Sequence, residues 1–184
     1  MTGLSAIDPA TADPDAAQVL ARARKAFGGT IPNLTRVMAN SPATLHGYLD
    51  LAGALDGGLL DAHVRERIAL LVAEQNNCAY CLSAHTFIAA QSLQMDPDDI
   101  AAAREGRSSD PRTNAILELA SALNLGRGAL DEQALDAARA AGVSDAEIAE
   151  VVGHVAANAF TNYFAKAARV PIDFPRVSPG GRAS

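Results

Sequence analysis

The sequence predicts an all-α protein, and its composition and patterning carry that prediction. About 40 of the 184 residues are alanine, the strongest helix former, whereas aromatic residues make up 4% and tryptophan is absent. No stretch alternates apolar and polar residues in the way that a half-buried strand does. With 49% hydrophobic residues the chain can bury a core. We therefore expect a single helical domain over residues 1–184, with its core at about 30–167.

Capping residues mark the starts of the predicted helices. Ser144 and Glu147 form a capping-box pattern, and four other starts place a capping oxygen directly before a proline, the residue favoured at the first helical position. Those four are Asp13-Pro14, Ser41-Pro42, Asp96-Pro97 and Asp110-Pro111. The pattern predicts about eight helices, at residues 14–27, 42–56, 61–76, 78–93, 97–105, 111–125, 131–141 and 145–167.

Two segments carry no helix prediction. Residues 29–40, which contain Ile31-Pro32-Asn33, are expected to form an ordered connection. Residues 171–184 contain three prolines and Gly180-Gly181, so we expect an extended or mobile tail there.

The charge balance excludes some classes of partner. The chain has 15 basic and 21 acidic residues, a net charge of −6, and lacks the basic surface that a nucleic-acid-binding protein needs.

No apolar run approaches the roughly 18 residues that cross a bilayer. The first fifteen residues hold three aspartates and no basic residue, unlike a secretory signal. We expect a cytoplasmic protein with reduced thiols, which binds neither nucleic acid nor membrane.

The two cysteines form a Cys-x-x-Cys pair that points to chemistry, because a disulfide across so short a loop would stabilise the fold very little. Cys78, Cys81 and His85 are spaced i, i+3 and i+7, on one face of the helix predicted over 78–93. Asn77 is expected to cap that helix and to leave both sulfurs in the first turn, where the helix dipole favours a thiolate. The imidazole, one turn beyond Cys81, can exchange a proton with a sulfur.

Glu66 is the fourth candidate site residue. It lies on the helix predicted over 61–76, in an apolar row opposite the main apolar stripe. A carboxylate in such a row is either buried with a partner or directed into a cavity, where it is suited to proton transfer. The main stripe comprises Val64, Ile68, Leu71 and Val72, and the row that contains Glu66 also holds Ala69, Leu70 and Ala73.

Structural roles remain open for these residues. Cys78 and Cys81 can be small apolar core residues. Together with His85 they could also supply three of the four ligands of a structural zinc ion, although no fourth ligand stands nearby. If the helix register differs by one residue, Glu66 would form an ion pair on the surface.

A histidine and several aromatic residues lie outside this group. His154 shares a polar stripe with Glu147, Glu150, Asn158 and Thr161, which favours a solvated face over a role in a pocket or a subunit contact. Core or pocket-wall positions are expected for Tyr80, Phe87, Tyr163 and Phe164.

The segment around the cysteine pair resembles the active-site signature of the alkylhydroperoxidase D group, within the carboxymuconolactone decarboxylase-like superfamily. The wider helical pattern, over roughly 30–167, is similar to that of peroxidase-related members. The motif that carries the resemblance is Glu66, then eleven residues, then Cys78-Ala79-Tyr80-Cys81, then three residues and His85.

This resemblance implies an alkylhydroperoxidase D-like fold and a thiol peroxidase. By the same resemblance Cys81 attacks the hydroperoxide, Cys78 resolves the sulfenate, and Glu66 and His85 relay protons. Some family members have a histidine where this chain has Tyr80. Neither a cofactor nor a metal is expected, and the partners are a hydroperoxide substrate and an unidentified thiol reductant.

Two other functions remain open. The cysteine pair could serve a thiol–disulfide carrier or a redox sensor, with no useful rate of peroxide reduction. Lactone decarboxylation is the superfamily's other chemistry, but members with that activity generally lack this cysteine pair.

A homo-oligomer is also expected. The helices predicted over 61–76 and 145–167 are apolar around most of their circumference, and such helices need cover on most sides. A neighbouring subunit would supply that cover. The family resemblance implies a closed assembly, a trimer or a hexamer.

Overall fold

The computed structural model of the chain describes residues 3–180, which form nine α-helices and no strand. The predicted all-α fold is confirmed. No helix among these residues is both long and apolar enough to cross a membrane. The helices are α1 Pro14–Ala26, α2 Asn33–Met38, α3 Pro42–Asp56, α4 Ala62–Gln75, α5 Ala79–Gln91, α6 Pro97–Arg104, α7 Pro111–Leu125, α8 Glu132–Ala140 and α9 Asp145–Ala168.

Local capping determines where most of these helices begin. The eight predicted starts agree with the structure to within one residue. At each of the four starts marked by a proline, a side-chain oxygen accepts a backbone N–H and so stabilises the first turn. The longest helix, α9, begins with the predicted capping box of Ser144 and Glu147. The acceptors at the proline-marked starts are Asp13, Ser41, Asp96 and Asp110.

Helix α2 corrects the prediction of a connection over residues 29–40. Its N-cap is Pro32, which offers no side-chain hydrogen bond, so the local capping signal is missing. Isolated helices of six residues are unstable in water, and tertiary packing must hold them. Val37 and Met38 supply that packing, since their side chains are 0% and 1% exposed in the main core cluster.

Helix α4 lies between two apolar clusters and is covered on both sides by its own chain. Ile68 faces a cluster built mainly from α7, α8 and α9. Leu70 faces the other cluster, which α1, α2, α3 and α5 dominate. The two apolar rows predicted along α4 are therefore both buried within one subunit. A partner subunit is therefore not needed to cover α4, and the apolar rows of this helix give no support to the predicted oligomer.

The segment 171–180, which follows α9, has no helical structure and lies across α4, α5 and α6. Val177 N–H donates to the Ser83 hydroxyl on α5 at 2.9 Å. Arg104 on α6 donates to the carbonyl of Ser178 at 3.2 Å. These contacts hold the segment beside the start of α5. Residues 181–184 of the predicted tail lie outside the described residues.

Candidate active site at the start of helix α5

The turn between α4 and α5 places both cysteines at a helix N-terminus. The N–H groups of Asn77 and Cys78 donate to the carbonyls of Glu74 and Ala73 at 3.0 Å each, which is the Schellman pattern that closes α4. Asn77 has a left-handed φ of 53°, a conformation that asparagine tolerates well. Asn77 therefore ends α4, and the prediction that it caps α5 is wrong. Cys78 is the cap, and its sulfur accepts the Cys81 N–H at 3.3 Å.

The two free thiols are both buried, yet they differ in acidity. The pKa of Cys78 is lowered, chiefly by the hydrogen bond from the Cys81 side chain, with help from the positive charges of Lys166 and His85. The pKa of Cys81 is raised, because its thiol donates to Cys78 and because it is buried. The reduced pair therefore favours a thiolate at Cys78 with a protonated Cys81 beside it.

Glu66, which is buried, and His85, which is half-buried, form a pair between α4 and α5. Glu66 is 9% exposed, and its Oε1 atom lies 2.9 Å from Nδ1 of His85. The register predicted for α4 is correct, and the alternative of a surface ion pair for Glu66 is excluded. Burial lowers the pKa of His85, but the charge and hydrogen bond of Glu66 and the charge of Cys78 outweigh it, so the pKa of His85 is raised overall.

A cavity of about 400 Å³ opens beside these groups. Cys81 and His85 line it, whereas Cys78 and Glu66 do not. The cavity therefore brings a small molecule to Cys81 rather than to Cys78. Its other walls are mainly apolar and aromatic, and include Phe27, Tyr48, Tyr80, Phe87, Ile88 and Phe174.

Tyr80, between the two cysteines, is a wall of this cavity. Its hydroxyl accepts the Leu34 N–H of α2 at 3.1 Å, and burial raises its pKa well above the ordinary value, so it stays protonated. Phe174 of the C-terminal segment meets the Tyr80 ring edge-on at a centroid distance of 5.9 Å and lies 5.8 Å from the Phe87 ring. Tyr80 thus anchors α2 and the C-terminal segment around the cavity.

Two amide side chains near the thiols, those of Asn162 and Asn76, were not predicted from the sequence. Asn162 on α9 is 0% exposed, and its Oδ1 accepts Nδ2 of Asn76 at 3.1 Å. Lys166, one turn further along α9, donates to the Asn76 carbonyl at 2.7 Å. A signal was present, because Asn162 follows Val155 by seven residues on the buried face of α9. A polar residue in an apolar row is the same signal that pointed to Glu66.

His154 and Tyr163 depart from their predicted positions. His154 is 6% exposed, so the predicted solvated face is wrong. Burial and the nearby charge of Arg65 lower the pKa of His154, and its Nε2 atom has no hydrogen-bond partner in the part of the chain that is described. Tyr163 is 58% exposed rather than core or pocket wall. Both positions follow from the orientation of α9 about its own axis, which is set by its packing against α4 and α7.

The thiol site holds no candidate metal centre. Within residues 3–180 no group of three or more His, Cys, Asp or Glu side chains could hold a metal ion. Cys78, Cys81 and His85 instead take part in the hydrogen-bonded and charged contacts given above.

Residues 42–124 match the model of the carboxymuconolactone decarboxylase family. The matched stretch runs from α3 to α7 and contains all four candidate residues: Glu66, Cys78, Cys81 and His85. No curated protein matches this chain in sequence.

Several solved structures share the fold over nearly the whole chain. An uncharacterised peroxidase-related protein from Ralstonia eutropha JMP134, described as having an alkylhydroperoxidase AhpD core, is 22% identical with a TM-score of 0.78, covering 92% of this chain and 90% of its own. A peroxidase-related protein from Silicibacter sp. TM1040 is 23% identical with a TM-score of 0.75, covering 91% of each chain. The debrominase Bmp8 is 20% identical with a TM-score of 0.76, covering 92% and 91%. Residues 42–124 thus resemble the carboxymuconolactone decarboxylase family, and the whole chain shares its fold with peroxidase-related proteins, one of which is described as an alkylhydroperoxidase AhpD core.

Proposed function

We propose that this protein is a thiol-dependent peroxidase that reduces hydroperoxides through Cys78 and Cys81. The observation that carries the proposal is the arrangement at the start of α5, where Cys81 lines a cavity and the Cys78 sulfur, which does not line it, accepts the Cys81 N–H. The Glu66–His85 pair beside them can accept and return a proton. These three elements supply the nucleophile, the resolving thiol and the proton transfer that a two-thiol peroxidase needs at its site.

The reaction begins with loss of the Cys81 proton to the His85–Glu66 pair. The Cys81 thiolate attacks one peroxide oxygen, the O–O bond breaks, and the leaving alkoxide takes a proton from His85 to become an alcohol. Cys81 is then a sulfenic acid. The Cys78 thiolate attacks its sulfur and forms the Cys78–Cys81 disulfide, while the departing hydroxide takes up from solvent the proton that Cys78 released when it ionised, and leaves as water. The sum is two thiols and one hydroperoxide giving one disulfide, one alcohol and one water.

The roles of the two cysteines follow from access and acidity. Cys81 lines the cavity and therefore meets the peroxide. Cys78 is shielded from the cavity and has the lowered pKa, so it is ready as a thiolate to attack the sulfenic acid. A dithiol donor must then reduce the disulfide, which requires a reducing compartment, and we place the protein in the cytoplasm.

Mass spectrometry after one equivalent of hydroperoxide tests the proposal. We expect the peptide with both cysteines to lose two hydrogens in the wild type. Cys78→Ser should give a sulfenic acid at Cys81 that dimedone traps, and Cys81→Ser should give neither product. An unoxidised pair would refute the proposal, and a trapped sulfenate at Cys78 in Cys81→Ser would reverse the two roles.

Steady-state kinetics separates a peroxidase from a thiol–disulfide carrier or sensor. With a dithiol donor in excess, a peroxidase consumes many equivalents of hydroperoxide per protein molecule. A carrier or sensor would cycle the same disulfide but would not turn over peroxide faster than the donor alone.

Reductive dehalogenation is a second candidate, favoured by the aromatic lining of the cavity. A cysteine-to-alanine variant of the debrominase Bmp8, 21% identical to this chain, was crystallised with 2,3,4-tribromopyrrole. Here Tyr80, Phe87 and Phe174 surround the cavity that Cys81 enters, and such walls suit a flat halogenated ring. The balanced reaction converts two thiols and an aryl bromide into a disulfide, the arene and hydrogen bromide. Bromide release from tribromopyrrole with a dithiol present would support it.

We also propose that the chain forms a homo-oligomer, a trimer or hexamer, through α9. Val152, Phe160 and Tyr163 on this helix are 44%, 39% and 58% exposed, although each is a large apolar or aromatic side chain. Sedimentation equilibrium at micromolar concentration should show an assembly, and Tyr163→Glu should weaken it. A single 19.0 kDa species over the whole range would overturn the proposal.

A further inference from the structure

The proposed reaction leaves one question about Cys81, which must ionise although its surroundings oppose this. Its hydrogen bond to Cys78 and its burial both raise its pKa. Only a neighbouring donor or positive charge can offset those effects. The side chain of Asn162 acts on Cys81 in the opposite direction and lowers the pKa of that thiol.

The geometry of Asn162 marks it as a donor without an acceptor. Its side chain is 0% exposed, yet Nδ2 has no hydrogen-bond partner in residues 3–180. Leaving a buried amide donor without an acceptor is unfavourable, so such a group needs an explanation. The preceding residue, Thr161, lines the same cavity as Cys81, so this turn of α9 reaches the site.

A chain of amides fixes which end of Asn162 faces the thiol. Asn76 donates through Nδ2 to Asn162 Oδ1 at 3.1 Å and to Asn124 Oδ1 at 3.2 Å. Asn124 donates in return to Asn76 Oδ1 at 3.1 Å and to Gln75 Oε1 at 2.9 Å. Gln75 is itself anchored by donating to the Ser121 hydroxyl at 2.6 Å. Because Oδ1 of Asn162 is already used as an acceptor, the NH₂ group is the end left for Cys81.

We propose that the Asn162 amide donates a hydrogen bond to the Cys81 sulfur as that thiol loses its proton, and so stabilises the thiolate that attacks the peroxide. This inference rests on the proposed function for its purpose, but the hydrogen bond itself can be tested without any peroxide. Asn76 and Asn124 are then positioning residues, because they act only through Asn162.

The Cys78→Ser variant offers a clean test, since it leaves Cys81 as the single thiol of the chain. Thiolate absorbance at 240 nm against pH gives the pKa of Cys81 in that background. Adding Asn162→Leu keeps the approximate shape and removes the donor. We expect the pKa of Cys81 to rise by about one to two pH units, the usual effect of losing one hydrogen bond to a charged group.

Asn158→Leu is the matched control. Asn158 lies one turn earlier on α9, and its amide donates to the backbone carbonyl of His154 rather than toward the thiols. This variant should leave the pKa of Cys81 unchanged. A folded Asn162→Leu variant with the same pKa as its parent would overturn the proposal.

A second measurement needs no change at Asn162 and holds even if that variant fails to fold. In ¹⁵N-labelled Cys78→Ser protein, the side-chain NH₂ resonances of Asn162 should move with pH at the same midpoint as the thiolate absorbance. Chemical shifts of the Asn162 NH₂ group that do not change across the Cys81 titration would overturn the proposal. If both tests succeed and peroxide still yields no disulfide, the hydrogen bond from Asn162 to Cys81 is supported and the peroxidase proposal fails.

Discussion

Oε1 of Glu66 and Nδ1 of His85, nineteen residues apart in sequence, lie 2.9 Å from each other and join helix α4 to helix α5. This contact fixes the ring orientation of His85 and leaves its other nitrogen, Nε2, for chemistry. Since His85 lines the cavity with Cys81, the pair connects a buried carboxylate to the space where a substrate would bind.

Replacing Glu66 by glutamine should bring the pKa of His85 down, because burial would then act without the carboxylate that outweighs it. We expect the rate constant for Cys81 oxidation to fall roughly a hundredfold, the usual effect of losing an acid–base partner. Histidine NMR titration and stopped-flow kinetics measure the two effects. The control is Glu74→Gln on the same helix, which pairs with Arg104 outside the cavity. Equal losses in both variants would assign Glu66 a structural role only.

The Glu66–His85 pair also predicts a pH dependence of stability. Because the pKa of His85 is raised in the folded state, protonated His85 makes its full contribution to the unfolding free energy at pH values below its ordinary pKa of 6.5. That contribution is lost as the pH rises through the folded-state pKa. Urea unfolding of the wild type should therefore show this part of the unfolding free energy decline above pH 6.5, and Glu66→Gln should remove the decline.

His154 predicts the opposite behaviour in acid. Burial and Arg65 lower its pKa, opposed only in part by Asp56 and Glu150, so the folded protein keeps it neutral. Stability should fall as the pH drops below 6.5, since the unfolded chain binds this proton more readily. His154→Gln should flatten the change in unfolding free energy between pH 7 and 5, because the variant has no imidazole to protonate. An unaltered slope in that variant would contradict the prediction.

Phe174 should control which peroxides the cavity accepts. Phe174→Ala removes two ring contacts and one wall, so we expect a loss of about 2 kcal/mol in unfolding free energy. KM for an aryl hydroperoxide should rise several-fold, whereas the rate with hydrogen peroxide should change little because a small substrate needs no wall. Ile172→Ala alters the same segment without touching the cavity lining and serves as the control. Parallel KM changes in both variants would show that the segment acts as a whole.

The start of α9 should be sensitive to acid. Hydrogen bonds from Arg112 and from Ser144 hold the pKa of Glu147 at about 2. This stabilisation is present above the ordinary value of 4.5 and is lost as the pH falls toward 2. Ser144→Ala should lower the unfolding free energy by about 1 kcal/mol at neutral pH, as loss of an N-cap does. Thermal melts at pH 7 and pH 3 measure both effects. The difference between the two melting temperatures should be smaller in Glu147→Gln than in the wild type.

Most of the local structure could be predicted because its causes lie within a few residues. Capping oxygens before prolines determine where helices begin, and the 3.6-residue period places Cys81 and His85 on one face of α5. The same period identified Glu66 as a buried carboxylate from its apolar neighbours. These features depend on hydrogen bonds and side-chain spacing within one or two helical turns.

What only the tertiary structure decided depends on residues far apart in the chain. Packing holds the short helix α2 in place of the expected connection, buries His154 and leaves Tyr163 exposed. It also brings Asn162 on α9 to Cys81, and Phe174 from the C-terminal segment to the cavity. The rotation of α9 and the path of that segment follow from which apolar faces meet, and no local pattern specifies such contacts. The sequence by itself therefore determined eight of the nine helices in residues 3–180 and the four candidate residues, whereas long-range packing decided helix α2, the cavity, its walls and the amide near the thiol.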